Sequence, residues 1–319
     1  MNPGPILKVS DLAVSFGRGA WPAVRGVDFE LASGEVVGLV GESGSGKSMT
    51  AYGLMNLLPY GASLDRGSIV FQNQDLSSLA PKQRRALCGR HMGLIFQEPL
   101  TALNPVFTIG NQVAEIFRLR QGLSRSESRR RSLELLAQVG LPNPGSAFDS
   151  YPHRFSGGMR QRVVIAMALA LSPELVIADE PTTALDPTIA AQIVSLIRRL
   201  SAQRGSAVLF ITHNLRILTG LAARILVMYH GLIVEEISSF DSRHHPYTQG
   251  LWQALPPEPG QQTGRRLIPI PGQAPGPAEI IPGCAFAPRC SKAEDKCRRE
   301  KPELTALGEG RRVRCFYPC

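Results

Sequence analysis

Apolar and polar positions alternate along residues 6–16, the pattern of a half-buried strand, and a second short apolar run at 27–31 ends at a Ser33-Gly34 turn. The run at 36–40, VVGLV, is apolar throughout, which predicts a buried strand. It passes through a glycine-rich loop into a helix-forming stretch at 49–58. Short strands are expected at 67–71 and 93–96, the second running straight into Gln97. From about residue 99 to 171 the period becomes helical, with amphipathic stretches at 109–120 and 126–139 and a break at Pro142 and Pro144. Apolar runs at 175–178 and 207–212 predict two further buried strands. Between them lies a helix over 187–204, with Pro187 at its first position and Asp186 as its N-cap. Strands alternating with helices predict an α/β fold carrying a helical insert.

Composition narrows this picture. The chain has 319 residues and a 43% apolar fraction, enough for one large domain with an appendage or for two domains. The longest apolar helical run, 163–171, is about half of the roughly 18 residues that a membrane-spanning helix needs. The start, MNPGPILKVSDL, has neither a basic leader nor an apolar block, so a cytoplasmic location is expected. A formal charge of +9 and a pI near 9.6 raise the question of nucleic acid. The charge is spread out, however: residues 241–319 hold 12 Lys and Arg against 8 Asp and Glu. The local cluster Arg125, Arg129, Arg130 and Arg131 sits on a helix opened by the capping pattern Ser124-x-x-Glu127 and reads as a solvated helix face. Five of the six cysteines fall after residue 283, which in a cytoplasmic chain favours metal or cluster ligation over disulfides.

The candidate chemistry begins at Gly41, Glu42, Ser43, Gly44, Ser45, Gly46, Lys47 and Ser48, which fit GxxxxGK[ST] between a strand and a helix. Glycines in such a loop let backbone N–H groups converge on phosphate oxygens, and the following helix turns its positive end toward the same anion. Lys47 would reach the β and γ phosphates, and the Ser48 hydroxyl would ligate Mg2+. Phe16, or alternatively Trp21, stands where a ring can stack on adenine; a plain core contact suits either equally well. Gln97, polar at the end of a buried strand, can contact Mg2+ or the attacking water. Ser156, Gly157 and Gly158 open the apolar helix at 162–171 and form a second phosphate-binding end, best explained by a nucleotide held on another subunit. Asp179 and Glu180 follow a buried strand, with roles in holding Mg2+ and in orienting and deprotonating water. His213, at the end of the 207–212 strand, can sense the γ-phosphate.

In this order the elements resemble the ATP-binding cassette ATPases over about residues 6–237. The resemblance implies a RecA-like core, an antiparallel β subdomain and a helical subdomain at about 99–171, working as a head-to-tail dimer. It implies that residues 41–48 are the Walker A loop, Gln97 the Q-loop residue, and Ser156 to Gly158 the signature. Asp179 and Glu180 become the Walker B pair, Asp186 part of the D-loop and His213 the switch histidine. Phe155 departs from the usual leucine of the signature.

Beyond residue 240 the tail narrows the family. The segment HPYTQGL, beginning at His245, looks like the HPYT element of the oligopeptide, dipeptide and nickel importer ATPases. A proline-rich connector at 256–282 reads as an extended linker to a small cysteine-rich C-terminal extension within 241–319. There Cys284, Cys290, Cys297 and Cys315 are similar to the segment of peptide importer ATPases that holds a four-iron four-sulfur cluster. Four cysteines suit zinc equally, and Cys319 is an alternative to Cys315. Cys88 stands apart as an expected core thiol. The resemblance implies a peptide importer motor with ATP and Mg2+ on the cytoplasmic face of the inner membrane. Its partners would be two membrane permease subunits, a solute-binding protein and a second related ATPase, with no nucleic acid. A nickel-chelate importer is the nearer alternative. A cassette ATPase of DNA repair or chromosome structure is the distant one, since residues 49–155 carry no long heptad coiled coil or zinc module.

Overall fold

A computed structural model describes residues 4–17, 19–238, 244–255, 268–308 and 310–319. The chain forms two compact units. One comprises Met1–Ile6, Ala32–Glu35 and Ser78–Phe210; the other comprises Leu7–Leu31, Val36–Ser77 and Ile211–Cys319. The C-terminal extension, expected as a separate region from residue 241, thus belongs to the same unit as the glycine-rich loop.

In that second unit, the alternating stretch at the start folds as the strand Leu7–Phe16 and pairs antiparallel with both Trp21–Leu31 and Ala62–Phe71. Its buried positions Leu7, Val9, Leu12 and Val14 supply the apolar face. The VVGLV run becomes the strand Val36–Val40, parallel to Arg224–Tyr229. Arg224–Tyr229 pairs antiparallel with Leu232–Ile237, and that strand pairs with Arg311–Val313, which continues to Thr305–Gly308. The last strands of the tail therefore extend the sheet that carries the glycine-rich loop. Glu236, 3% exposed, sits between two cations, Arg224 and Arg312, the latter donating from Nε at 2.6 Å. Such a buried carboxylate is tolerated because both of its oxygens are matched. Of the expected linker, residues 256–267 lie outside the described residues, and 268–282 form neither helix nor strand.

The other unit contains the parallel strands Met92–Ile95 and Leu175–Asp179, in register from Met92 opposite Leu175 to Ile95 opposite Ala178. The expected helical insert is present: Ile109–Gln121, Arg125–Gln138 and Gly157–Leu169 pack against one another. Ser124 Oγ caps its helix by accepting from Glu127 N–H at 3.2 Å. The arginines that follow are answered locally. Arg130 pairs with Glu127 and Glu134, Arg131 with Glu127, and Arg129 with Asp149 while lying over the Phe148 ring. These hydrogen bonds hold the Glu127 carboxyl down at about 2. Arg129, Arg130 and Arg131 are thus answered by nearby carboxylates. Cys88 is buried, and burial pushes its thiol up, as befits a core residue. Phe155 is also in the core at 6% exposure, so its ring, where the resemblance expects leucine, is accommodated by packing.

Candidate active site

In the second unit, the strand Val36–Val40 delivers the chain into the glycine-rich loop, and the helix Lys47–Met55 leaves it. The N-cap is Gly46, without a side-chain cap and without an acidic residue in the first turn, so the positive end of the helix dipole meets the loop unopposed by a local carboxylate. Gly46 has φ +106°, and a Cβ there would stand 2.4 Å from the carbonyl oxygen of Ala23. No other residue type meets both demands. Lys47 is 4% exposed and folds back on the loop, its Nζ donating to the carbonyls of Gly41 and Glu42 at 2.9 Å each. The Ser45 hydroxyl is buried with no hydrogen-bond partner among the described residues. A phosphate group fits these donors. Ser43 and Gly44 form the exposed crest of the loop, and Ser48 follows Lys47 in the first helical turn.

Phe16 and Trp21 are cross-strand partners in the antiparallel sheet of this unit. Phe16 is half-buried, whereas Trp21 is 56% exposed and free to present its ring face. His213 emerges, exposed, directly after the strand Ala207–Thr212. The turn beyond it is fixed by Asn214 N–H donating to Thr212 Oγ1 at 3.0 Å.

The remaining candidates lie in the other unit. Asp179, 0% exposed, ends the fully buried strand Leu175–Asp179. Glu180 follows with φ +45°, a conformation that a non-glycine residue holds only when its surroundings enforce it. Two donors do so. Thr183 Oγ1 donates to Glu180 Oε2 at 2.9 Å, and Gln97 Nε2 approaches the same oxygen at 3.4 Å. The parallel register explains the meeting, because Ile95 opposite Ala178 places Gln97 beside Glu180 at the strand ends. Gln161, on the helix opened by Ser156, donates to Phe96 O at 3.5 Å and ties that helix to the same edge. Ser156 is the N-cap of this helix, its Oγ accepting from Met159 N–H at 3.4 Å, with Gly157 as the first helical residue and Gly158 next. Asp186 Oδ1 accepts from Ile189 N–H at 2.9 Å and caps Pro187–Arg204, which packs against Gly157–Leu169.

The HPYT element has a local cause. His245 Nδ1 accepts from Tyr247 N–H at 3.1 Å as N-cap of Pro246–Gln253. Burial pushes His245 down to about 3, which keeps the imidazole neutral and able to accept. The helix buries Tyr247, whose hydroxyl accepts from Glu42 N–H at 2.8 Å. Further along, Cys284, Cys290, Cys297 and Cys315 line one small cavity with His245 and Phe286. Burial raises the thiols of Cys284, Cys290 and Cys315, the last to about 11. Cys319 lies to one side, its sulfur accepting from Lys292 Nζ at 3.0 Å. Among the described residues no group of three or more His, Cys, Asp or Glu side chains is arranged to hold a metal ion. The donor chemistry suits a thiophilic centre; the side chains as placed do not close around one.

Sequence reasoning missed Arg289. Its guanidinium grips Glu42 of the glycine-rich loop through Nη1 at 2.6 Å and Nη2 at 3.0 Å. The only signal for it is its place beside Cys290 in GCAFAPRC.

Comparison with known proteins gives concordant results. A family model described as "ABC transporter" matches residues 24–183, and one described as "Oligopeptide/dipeptide transporter, C-terminal region" matches residues 235–297. The chain is 45% identical to the dipeptide transport ATP-binding protein DppD of Escherichia coli, covering 98% of this chain and 97% of that protein. It is 44% identical to the oligopeptide transport ATP-binding protein AppD of Bacillus subtilis, covering 98% and 96% respectively. Among solved structures, a dimeric ATP-binding cassette in a post-hydrolysis state with ADP and phosphate has a TM-score of 0.65 at 27% identity, over 73% of this chain and 98% of that one. The cbiO1 subunit of a Clostridium perfringens ABC transporter has a TM-score of 0.64 at 26% identity, over 74% and 89%.

Proposed function

Because the chain belongs to the ATP-binding proteins of ABC peptide importers, we propose that it is the motor subunit that couples ATP hydrolysis to uptake of dipeptides or oligopeptides. The observation that carries the cargo class is the likeness to peptide-transport ATP-binding proteins along nearly the whole chain, tail included.

In this reading the N–H groups of residues 41–48 and the Lys47 ammonium bind the β and γ phosphates, while Phe16 or Trp21 stacks on the adenine. Glu180 orients the attacking water and takes its proton; Gln97, already beside its carboxylate, positions that water. His213 contacts the γ-phosphate. Ser156, Gly157, Gly158 and Asp186 serve the nucleotide of a partner cassette, so hydrolysis belongs to a dimer. Ser48, Gln97 and Asp179 would hold Mg2+, which when bound offsets the negative charge on the transferring phosphoryl group. Cys284, Cys290, Cys297 and Cys315 would hold a [4Fe-4S] cluster, with zinc as the alternative. Such a centre would supply cross-links that a short, polar tail otherwise lacks.

No helix among the described residues is long and apolar enough to cross a membrane. In this reading the subunit works at the cytoplasmic face of the inner membrane, with two permease subunits, a solute-binding protein and a second related ATPase. A nickel chelate is the second cargo, to be tested beside peptides. The catalytic assignment is tested by Glu180→Gln in the assembled complex. ATP turnover should fall by about 10²-fold or more with ATP binding retained. Unchanged turnover would remove Glu180 from the role.

A further inference from the structure

Glu42, in the glycine-rich loop, is held by three different groups. Its carbonyl accepts from Lys47 Nζ at 2.9 Å, its N–H donates to Tyr247 Oη at 2.8 Å, and its carboxylate receives the two-pronged guanidinium of Arg289. Two of the three holders come from the C-terminal extension, far away in sequence. The Arg289 side chain is 5% exposed, and its remaining donors are also committed, Nε to Pro271 O at 2.8 Å and Nη1 to Tyr229 Oη at 3.3 Å. A buried guanidinium with one facing carboxylate makes a strong, directional contact, and losing either partner leaves the other charge uncompensated.

The contact is built into a packed base. Tyr229, Tyr247 and Phe286 stack edge and face, with ring centroids 4.6 Å, 5.3 Å and 5.4 Å apart. Just past Tyr229, Gly231 N–H donates to Ser45 O of the loop at 2.9 Å. Arg289 itself ends the short turn Ala287–Arg289, framed by Cys284 and Cys290. The tail therefore reaches the loop by a side chain fixed between two of the clustered thiols.

We propose that Arg289 and Tyr247 are positioning residues for nucleotide binding: from the C-terminal extension they fix Glu42, and through it the loop backbone and Lys47, in the geometry that receives the phosphates. This rests on the reading of residues 41–48 as the ATP site. The tail is then part of the nucleotide site's support and not only a separate cysteine module.

The test is titration of the purified full-length chain with a fluorescent ATP analogue and Mg2+, using Arg289→Met, Glu42→Gln, the double variant, Arg289→Lys, Tyr247→Phe and Lys47→Ala. Each of Arg289→Met and Glu42→Gln should weaken binding about tenfold, as expected for a charged hydrogen-bonded pair. The double variant should be no weaker than the weaker single, and Arg289→Lys should recover part of the loss. Should Arg289→Met fail to fold, Tyr247→Phe carries the test, with about a threefold loss expected from one hydroxyl. Unchanged affinity in Arg289→Met and Tyr247→Phe, or independent multiplicative losses in the double variant, would overturn the proposal. Lys47→Ala separates the two readings. If it too leaves affinity unchanged, the ATP-site assignment fails; if it abolishes binding while the tail variants do not, only the positioning role fails.

Discussion

Two glycines of the phosphate loop separate backbone strain from steric exclusion. Gly44 has φ +77° with nothing within 4 Å of a Cβ, so Gly44→Ala meets only the cost of holding an L-residue at positive φ. That cost is about 1–2 kcal/mol, offset by about 0.4–1 kcal/mol from the stiffer unfolded chain, leaving a loss of about 1 kcal/mol. Gly46→Ala meets the same terms at φ +106° and also sets a Cβ 2.4 Å from Ala23 O and 2.8 Å from Met228 Cε. The methionine end can swing away. The backbone carbonyl cannot, and such overpacking adds about 1–3 kcal/mol. Urea unfolding followed by far-UV circular dichroism should therefore place the Gly46→Ala midpoint about 1 M below that of Gly44→Ala. Equal midpoints would show that the close approach to Ala23 is not what reserves position 46 for glycine.

Two further expectations concern the same unit. Burial, with Arg25 beside it, holds the His230 imidazole below its ordinary range. Protonation therefore favours the unfolded chain, so the contribution to stability is complete above about pH 6.5 and is lost as pH falls toward the folded-state value. The slope is at most about 1.4 kcal/mol per pH unit. Replacing His230→Asn should flatten the drop in urea midpoint between pH 7.5 and 5.5, and an identical drop in both proteins would contradict this. For the thiols, the four-cysteine proposal expects metal in the anaerobically purified parent chain, most of it removed by Cys290→Ser with a lower melting temperature, read by elemental analysis and calorimetry. Metal content equal to that of the parent would exclude Cys290 as a ligand.

What the sequence made legible had local causes. The strands Val36–Val40, Leu175–Asp179 and Ala207–Thr212 are apolar but for the terminal Asp179 and Thr212 and are buried nearly throughout, so their composition alone marks them. The capping residues Ser124 and Asp186 act within three residues of themselves, which is why their helices begin where expected. The helix Pro81–His91 escaped notice because it is polar nearly all round, with Cys88 its only buried residue. Thr305–Gly308 and Arg311–Val313 were missed because strands this short carry no apolar alternation, and only Val313 in them is buried. The Glu42–Arg289 pair spans 247 residues, and nothing local to either residue announces the other. Even the meeting of Gln97 with Glu180 depends on a register between two strands that the chain order leaves open.

The central claim, a motor that drives peptide uptake, is tested most directly on the membrane complex that co-purifies with this chain. It would be reconstituted with its solute-binding protein and supplied in turn with dipeptides, longer peptides and a nickel chelate while ATP hydrolysis is followed. The expected result is stimulation by one peptide class, abolished by Glu180→Gln. Stimulation by the nickel chelate alone, or turnover indifferent to all three with no membrane proteins co-purifying, would contradict it.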